Sequence, residues 1–116
     1  MTRYLEPQPA PTPGMAEPSW VGVVRWMRET GDPLWLLTAI DGEEKGRVGA
    51  QKYGVAHQHD NKRDHATDAY QEHLDSCCYW WAEYQKTQSG EAYALFSSAA
   101  ELTYRCRAYL LARDGR

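Results

Sequence analysis

Three cysteines in 116 residues, Cys77 and Cys78 adjacent and Cys106 alone, are too few and too unevenly placed for a disulfide framework. They read as small apolar fillers in a reducing compartment, the first two on the buried face of one helix and Cys106 on a second amphipathic helix. No apolar run approaches the length of about 20 residues that a membrane-spanning helix needs. The first residues also lack the basic region and apolar stretch of a signal peptide, so the expectation is a soluble, cytoplasmic protein. Basic residues are scattered and the formal net charge is -3, which leaves no electrostatic footprint for nucleic acid. No useful segment alternates with period two, and no internal repeat is present. What remains is an all-α fold, a compact helical bundle of about four helices.

Proline is concentrated where a helix is not expected. Pro7, Pro9, Pro11, Pro13 and Pro18 remove backbone donors and favour an extended path. Residues 1–18 therefore read as a flexible Pro-rich arm, free in solution or draped over a partner subunit, and 19–116 as a single helical domain. Ser19 is a good N-cap for a first helix carrying Trp20, Val23, Val24 and Met27, which Gly31 ends. Asp32-Pro33 starts a second helix, Asp as cap and Pro at the first helical position. Gly42, Gly46 and Gly49 predict a break or kink near Asp41-Gly42, and Gly54 stops the run. After a polar loop from Val55 to Arg63, a third helix runs from about Asp64 to about Gln88. Ser89-Gly90 turns the chain into a last helix reaching about Arg113.

The third helix carries an acidic stripe. Asp64, Asp68, Glu72 and Asp75 are spaced by four, four and three residues, which at about 100° per residue keeps them on nearly one side. Ala66, Ala69, Tyr70, Leu74, Cys77, Cys78 and Trp81 fall on the other side, as a core face. Like charges one turn apart repel by a few tenths of a kcal/mol per pair. A hard divalent cation turns that repulsion into binding, since magnesium favours clustered carboxylate oxygens. A solvated acidic face near a helix N-terminus is the structural alternative. The four histidines, His57, His59, His65 and His73, give with Cys77 a weak competing zinc constellation.

With these elements in order, the stretch from Lys52 to Tyr79 resembles small phage-encoded relatives of the MazG-like, all-α nucleoside triphosphate pyrophosphohydrolases. The residues that carry the resemblance are Lys52-Tyr53-Gly54 closing one helix, Arg63-Asp64, Asp68-Ala69-Tyr70-Gln71-Glu72, Leu74-Asp75 and Tyr79. Glu72-x-x-Asp75 looks like the second half of that family's metal motif. For the first half the family carries Glu-Glu-x-x-Glu; here Asp41, Glu43 and Glu44 are available, and Arg47 stands where a third acid is expected.

The resemblance implies magnesium, or manganese in its place, held by carboxylates from two helices, with hydrolysis of a nucleoside triphosphate between its α- and β-phosphates. On this reading Glu72 and Asp75 are catalytic, the metal residues are Asp68, Glu72, Asp75, Glu43 and Glu44, and Asp64 is a helix cap. Lys52, Lys62 and Arg63 handle the phosphates. Tyr53 and Tyr79 either stack on a base or pack in the core, with packing favoured. Five tryptophans and eight tyrosines on so small a bundle suggest apolar surface that a second copy covers, hence a homo-oligomer. The alternative is a non-catalytic helical accessory or protein-binding module that kept the fold.

Overall fold

The computed structural model describes residues 3–116; Met1 and Thr2, the start of the Pro-rich arm, lie outside it. The fold is all-α. A 3₁₀ turn at Arg3–Leu5 precedes four helices: α1 (Ser19–Glu29), α2 (Pro33–Tyr53), α3 (His65–Thr87) and α4 (Gly90–Asp114). Among the described residues there is no strand. The chain forms two compact units, residues 8–63 with α1 and α2, and residues 3–7 with 64–116, which hold the 3₁₀ turn, α3 and α4.

In the first unit, α1 and α2 make a hairpin across Thr30-Gly31-Asp32. Asp32 caps α2 as its sequence suggests: its Oδ1 accepts from the backbone N–H of Leu34 at 2.8 Å and of Trp35 at 3.3 Å, with Pro33 at the first helical position. Ser19 differs from expectation. Pro18 takes the cap position, and Ser19 opens α1 with its hydroxyl 2.7 Å from His57 Nδ1 and its N–H donated to the His57 carbonyl.

α2 runs unbroken from Pro33 to Tyr53 through the break expected near Asp41-Gly42, and the glycine that packing demands is Gly46. Val24 reaches to contact distance of Gly42, and a Cβ at position 46 would fall inside the Trp20 side chain. Glycine at position 46 lets α1 approach α2 without breaking the second helix. Val24 and Ala39 are buried between them, and Trp26 packs edge-on against Trp35, with centroids 5.3 Å apart.

In the second unit, α3 and α4 pair across Gln88 and Ser89. Gln88 takes a left-handed conformation that closes α3, and Ser89 caps α4 by accepting from the Ala92 N–H. Ala92, Thr103 and Leu110 form the buried side of α4, and Leu110 is the largest fully buried apolar residue there. Thr103 makes its burial tolerable by donating to the Ala99 carbonyl, with the His73 carbonyl and Cys77 Sγ also within reach. Near the turn, Trp81, Tyr84, Tyr93 and Phe96 form a cluster of ring contacts, edge-on except for the tilted Trp81–Tyr84 pair. The core face expected on α3 needs correction: Cys78 and Trp81 are exposed, and Leu74 and Cys77, like Cys106 on α4, are only half-buried. Tyr4 is buried here instead, under the Arg107 guanidinium and beside Tyr70.

Candidate functional site

The four stripe acids of α3 have different fates. Asp64 is the N-cap, accepting from the Thr67 N–H and hydroxyl, and the Arg113 guanidinium grips both its oxygens at 2.9 and 2.7 Å. This fork from Arg113, helped by Thr67, holds the Asp64 carboxyl well below the ordinary carboxylate range and raises the Arg113 pKa in return. Asp64 is therefore committed to structure. Asp68, in the first turn, is half-buried and has a partner of its own.

Glu72 and Asp75 are exposed, and among the described residues no hydrogen bond or ion pair engages either of them. Three residues apart, they are separated by about 4.5 Å of helix rise on one face. Tyr79 continues the same face one turn on and is 72% exposed, so it is not the core residue that the sequence favours. Tyr53, at the end of α2, is likewise exposed at 68%. Both rings therefore present a stacking face to solvent.

In the other unit, Lys52 lies in the last turn of α2 with its Nζ 5.3 Å from the Tyr53 ring centroid. Gly54 caps the helix in a left-handed conformation. The loop that follows is ordered by residues the sequence reading passed over. Asn61 is almost fully buried, and its Oδ1 accepts from the Arg63 N–H at 3.0 Å. Lys62 sits between them with φ 67°, a left-handed position normally given to glycine. Arg63 Nη1 donates to the Pro9 carbonyl at 2.6 Å. The one available signal was local: Asn and Asp beside a loop end, the residue types that bond their own backbone.

Glu43 and Glu44, the other acids assigned to a metal, stand on α2. Glu43 is paired with Arg28 at 2.6 Å and with Arg47 at 3.5 Å, so the arginine that replaces the third acid of the motif neutralises the acid one turn before it. Glu44 is exposed. Among the described residues no three His, Cys, Asp or Glu side chains are gathered closely enough to hold one ion, which applies to the zinc constellation and equally to Asp68, Glu72, Asp75, Glu43 and Glu44. His57 instead fixes the start of α1 through Ser19.

The donor chemistry on α3 nonetheless suits magnesium. Glu72 and Asp75 supply hard oxygen ligands, and magnesium keeps most of its waters and takes only one or two protein carboxylates. No helix among the described residues is long and apolar enough to cross a membrane. No protein-family model, no curated protein and no solved structure matches the chain, so its function is argued from these residues and from the motif they resemble.

Proposed function

We propose that this chain is a cytoplasmic, magnesium-dependent nucleoside triphosphate pyrophosphohydrolase of MazG-like type, converting an NTP or dNTP and water to the NMP and pyrophosphate. The observation that carries the reading is the pair Glu72 and Asp75, exposed on one face of α3 and free of cationic partners, while Asp64 on the same stripe is consumed by Arg113. Evolution of a helix that leaves two like charges uncompensated is understandable when a cation is to be bound there.

Glu72 and Asp75 would hold the ion, with Asp68 in support and Glu43 and Glu44 as the acids of the first motif. Bound magnesium, or manganese, supplies charge neutralisation for the phosphates and a lowered pKa for the attacking water. The chain's own cations have a separate task. Lys52, Lys62 and Arg63 would bind phosphate oxygens through their positive charge. Tyr53 and Tyr79 offer exposed rings to a base. Purified protein incubated with a panel of NTPs and dNTPs and magnesium should release pyrophosphate from at least one of them; no release from any, with thermal stability unmoved by magnesium, rules the enzyme out.

The second reading, a non-catalytic protein-binding module, is favoured by one feature. On α2, Leu34, Leu37 and Ile40 are 71%, 61% and 60% exposed, and an open groove of about 430 Å³ between α1 and α2 is lined by Trp20, Val23 and Met27. Such apolar surface also suits a homo-oligomer, which the enzyme reading includes.

A further inference from the structure

The Pro-rich segment is bound along the loop that carries Lys62 and Arg63. Gln58 clasps it from both sides of its amide: Oε1 accepts from the Gly14 N–H at 2.9 Å, and Nε2 donates to the carbonyls of Gly14 at 3.1 Å and Ala16 at 2.6 Å. The Asp60 carboxylate accepts from the N–H groups of Met15 at 2.7 Å and Ala16 at 3.2 Å. The Asn61 carbonyl accepts from the Thr12 N–H and hydroxyl at 3.0 and 3.2 Å, and Pro9 takes the Arg63 contact. The Asp60 carboxylate also occupies the space a side chain at position 14 would need, so any larger residue there has to displace it.

The sequence of the segment fits this use. Pro9, Pro11 and Pro13 have no N–H to satisfy and a fixed φ, so little conformational freedom is lost when they dock. The donors are left at Ala10 and at positions 12, 14, 15 and 16, and the loop supplies an acceptor for each of the last four. Donation from Met15 first, and then Ala16, lowers the Asp60 pKa. The loop end needs such support, because Lys62 is held in a conformation unfavourable to a residue with a Cβ.

We propose that residues 9–16 are a built-in strap that fixes the 57–63 loop, with Asp60 as its catch, so that Asp60 is a positioning residue for the phosphate-binding Lys62 and Arg63. The strap follows from the geometry alone; its role in positioning rests on the pyrophosphohydrolase reading. Asp60 touches no substrate on this account. It acts through the backbone of residues 15 and 16, and through them on where the Lys62-Arg63 end of the loop is held.

Two readouts on the full chain separate these claims. Under limited trypsin digestion, Asp60→Ala should speed cleavage after Lys62 and Arg63 about tenfold relative to cleavage after Arg105 in α4, with Asp60→Asn, which keeps one acceptor oxygen, in between. Gly14→Val should reproduce the effect by displacing the strap from its own side. In kinetics, Asp60→Ala should raise KM for the nucleotide about fivefold or more with kcat changed less than about twofold, since phosphate contacts are loosened and the carboxylates are not. Unchanged cleavage at the loop in both Asp60→Ala and Gly14→Val overturns the strap. Faster cleavage with unchanged KM overturns the positioning role. If the wild-type protein cleaves no nucleotide, the enzyme reading and with it the positioning role fall, and the trypsin result alone decides the strap.

Discussion

Helices α2 and α3 both carry acids, yet they spend them differently. On α2, Glu43 is neutralised by Arg28 and Arg47, Asp41 and Glu44 are exposed with no partner among the described residues, and the surface carries exposed Leu34, Leu37 and Ile40. On α3, the arginine goes to the helix end, where Arg113 grips Asp64, and Glu72 and Asp75 in the middle stay uncompensated. Counting acids does not distinguish the two helices. Asking where each carboxylate's counter-charge sits separates Glu43 and Asp64, which are paired, from Glu72 and Asp75 on α3 and from Asp41 and Glu44 on α2, and the motif that Glu72-x-x-Asp75 resembles then favours α3.

The widest gap should appear in catalysis. Glu72→Gln and Asp75→Asn should each lower turnover by about a hundredfold or more, beyond the loss typical of altering a metal's outer partners, with unchanged helical circular dichroism. Glu43→Gln should cost clearly less. Equal losses at positions 43 and 72 would erase the contrast between the helices. In thermal or urea unfolding, Leu110→Ala in the buried side of α4 should cost about 2 to 5 kcal/mol. Leu34→Ala on exposed α2 should stay within about 0.5 kcal/mol.

A finer comparison uses two glycines of α2 itself. Helix propensity alone makes Gly→Ala stabilising by about 0.5 to 1 kcal/mol, and Gly49→Ala, with open space around it, should follow that rule. Gly46→Ala should reverse the sign and destabilise by about 1 to 3 kcal/mol, because the new methyl meets Trp20. A gain at position 46 would mean that α1 does not pack there.

The smallest effect concerns pH. The Asp64 pKa is depressed in the folded state, so its contribution is fully present above the unfolded value of about 3.9 and is lost as pH falls toward the depressed folded value. With both side chains about a third exposed, solvent screening limits it to about 1 kcal/mol. Acid unfolding curves of Asp64→Asn should therefore be flatter below about pH 4 than those of the wild type.

Much of the fold was legible because helix ends are written in short-range chemistry. Asp32-Pro33, Gly54, Asp64 and Ser89-Gly90 each mark the boundary the structure has, since a cap needs only the two or three residues beside it. What failed depended on distant partners. The glycines of α2 suggested a kink because Trp20, which fills the space beside Gly46, is 26 residues from it. The Pro-rich segment suggested an arm because its acceptors on Gln58, Asp60 and Asn61 lie more than 40 residues away. For the candidate site, periodicity identified the stripe and the cap role of Asp64. It could not tell that Arg113, near the end of α4, would claim Asp64, or that Arg47 would pair with Glu43.

The central claim is that Glu72 and Asp75 serve the hydrolysis of a nucleoside triphosphate between its α- and β-phosphates. Its most direct test is phosphorus NMR of the wild-type protein with magnesium and the most susceptible nucleotide, run beside Glu72→Gln. The account predicts that NMP and pyrophosphate resonances grow in the wild-type sample alone. A triphosphate left intact in both samples, or the same products formed at the same rate in both, would contradict it.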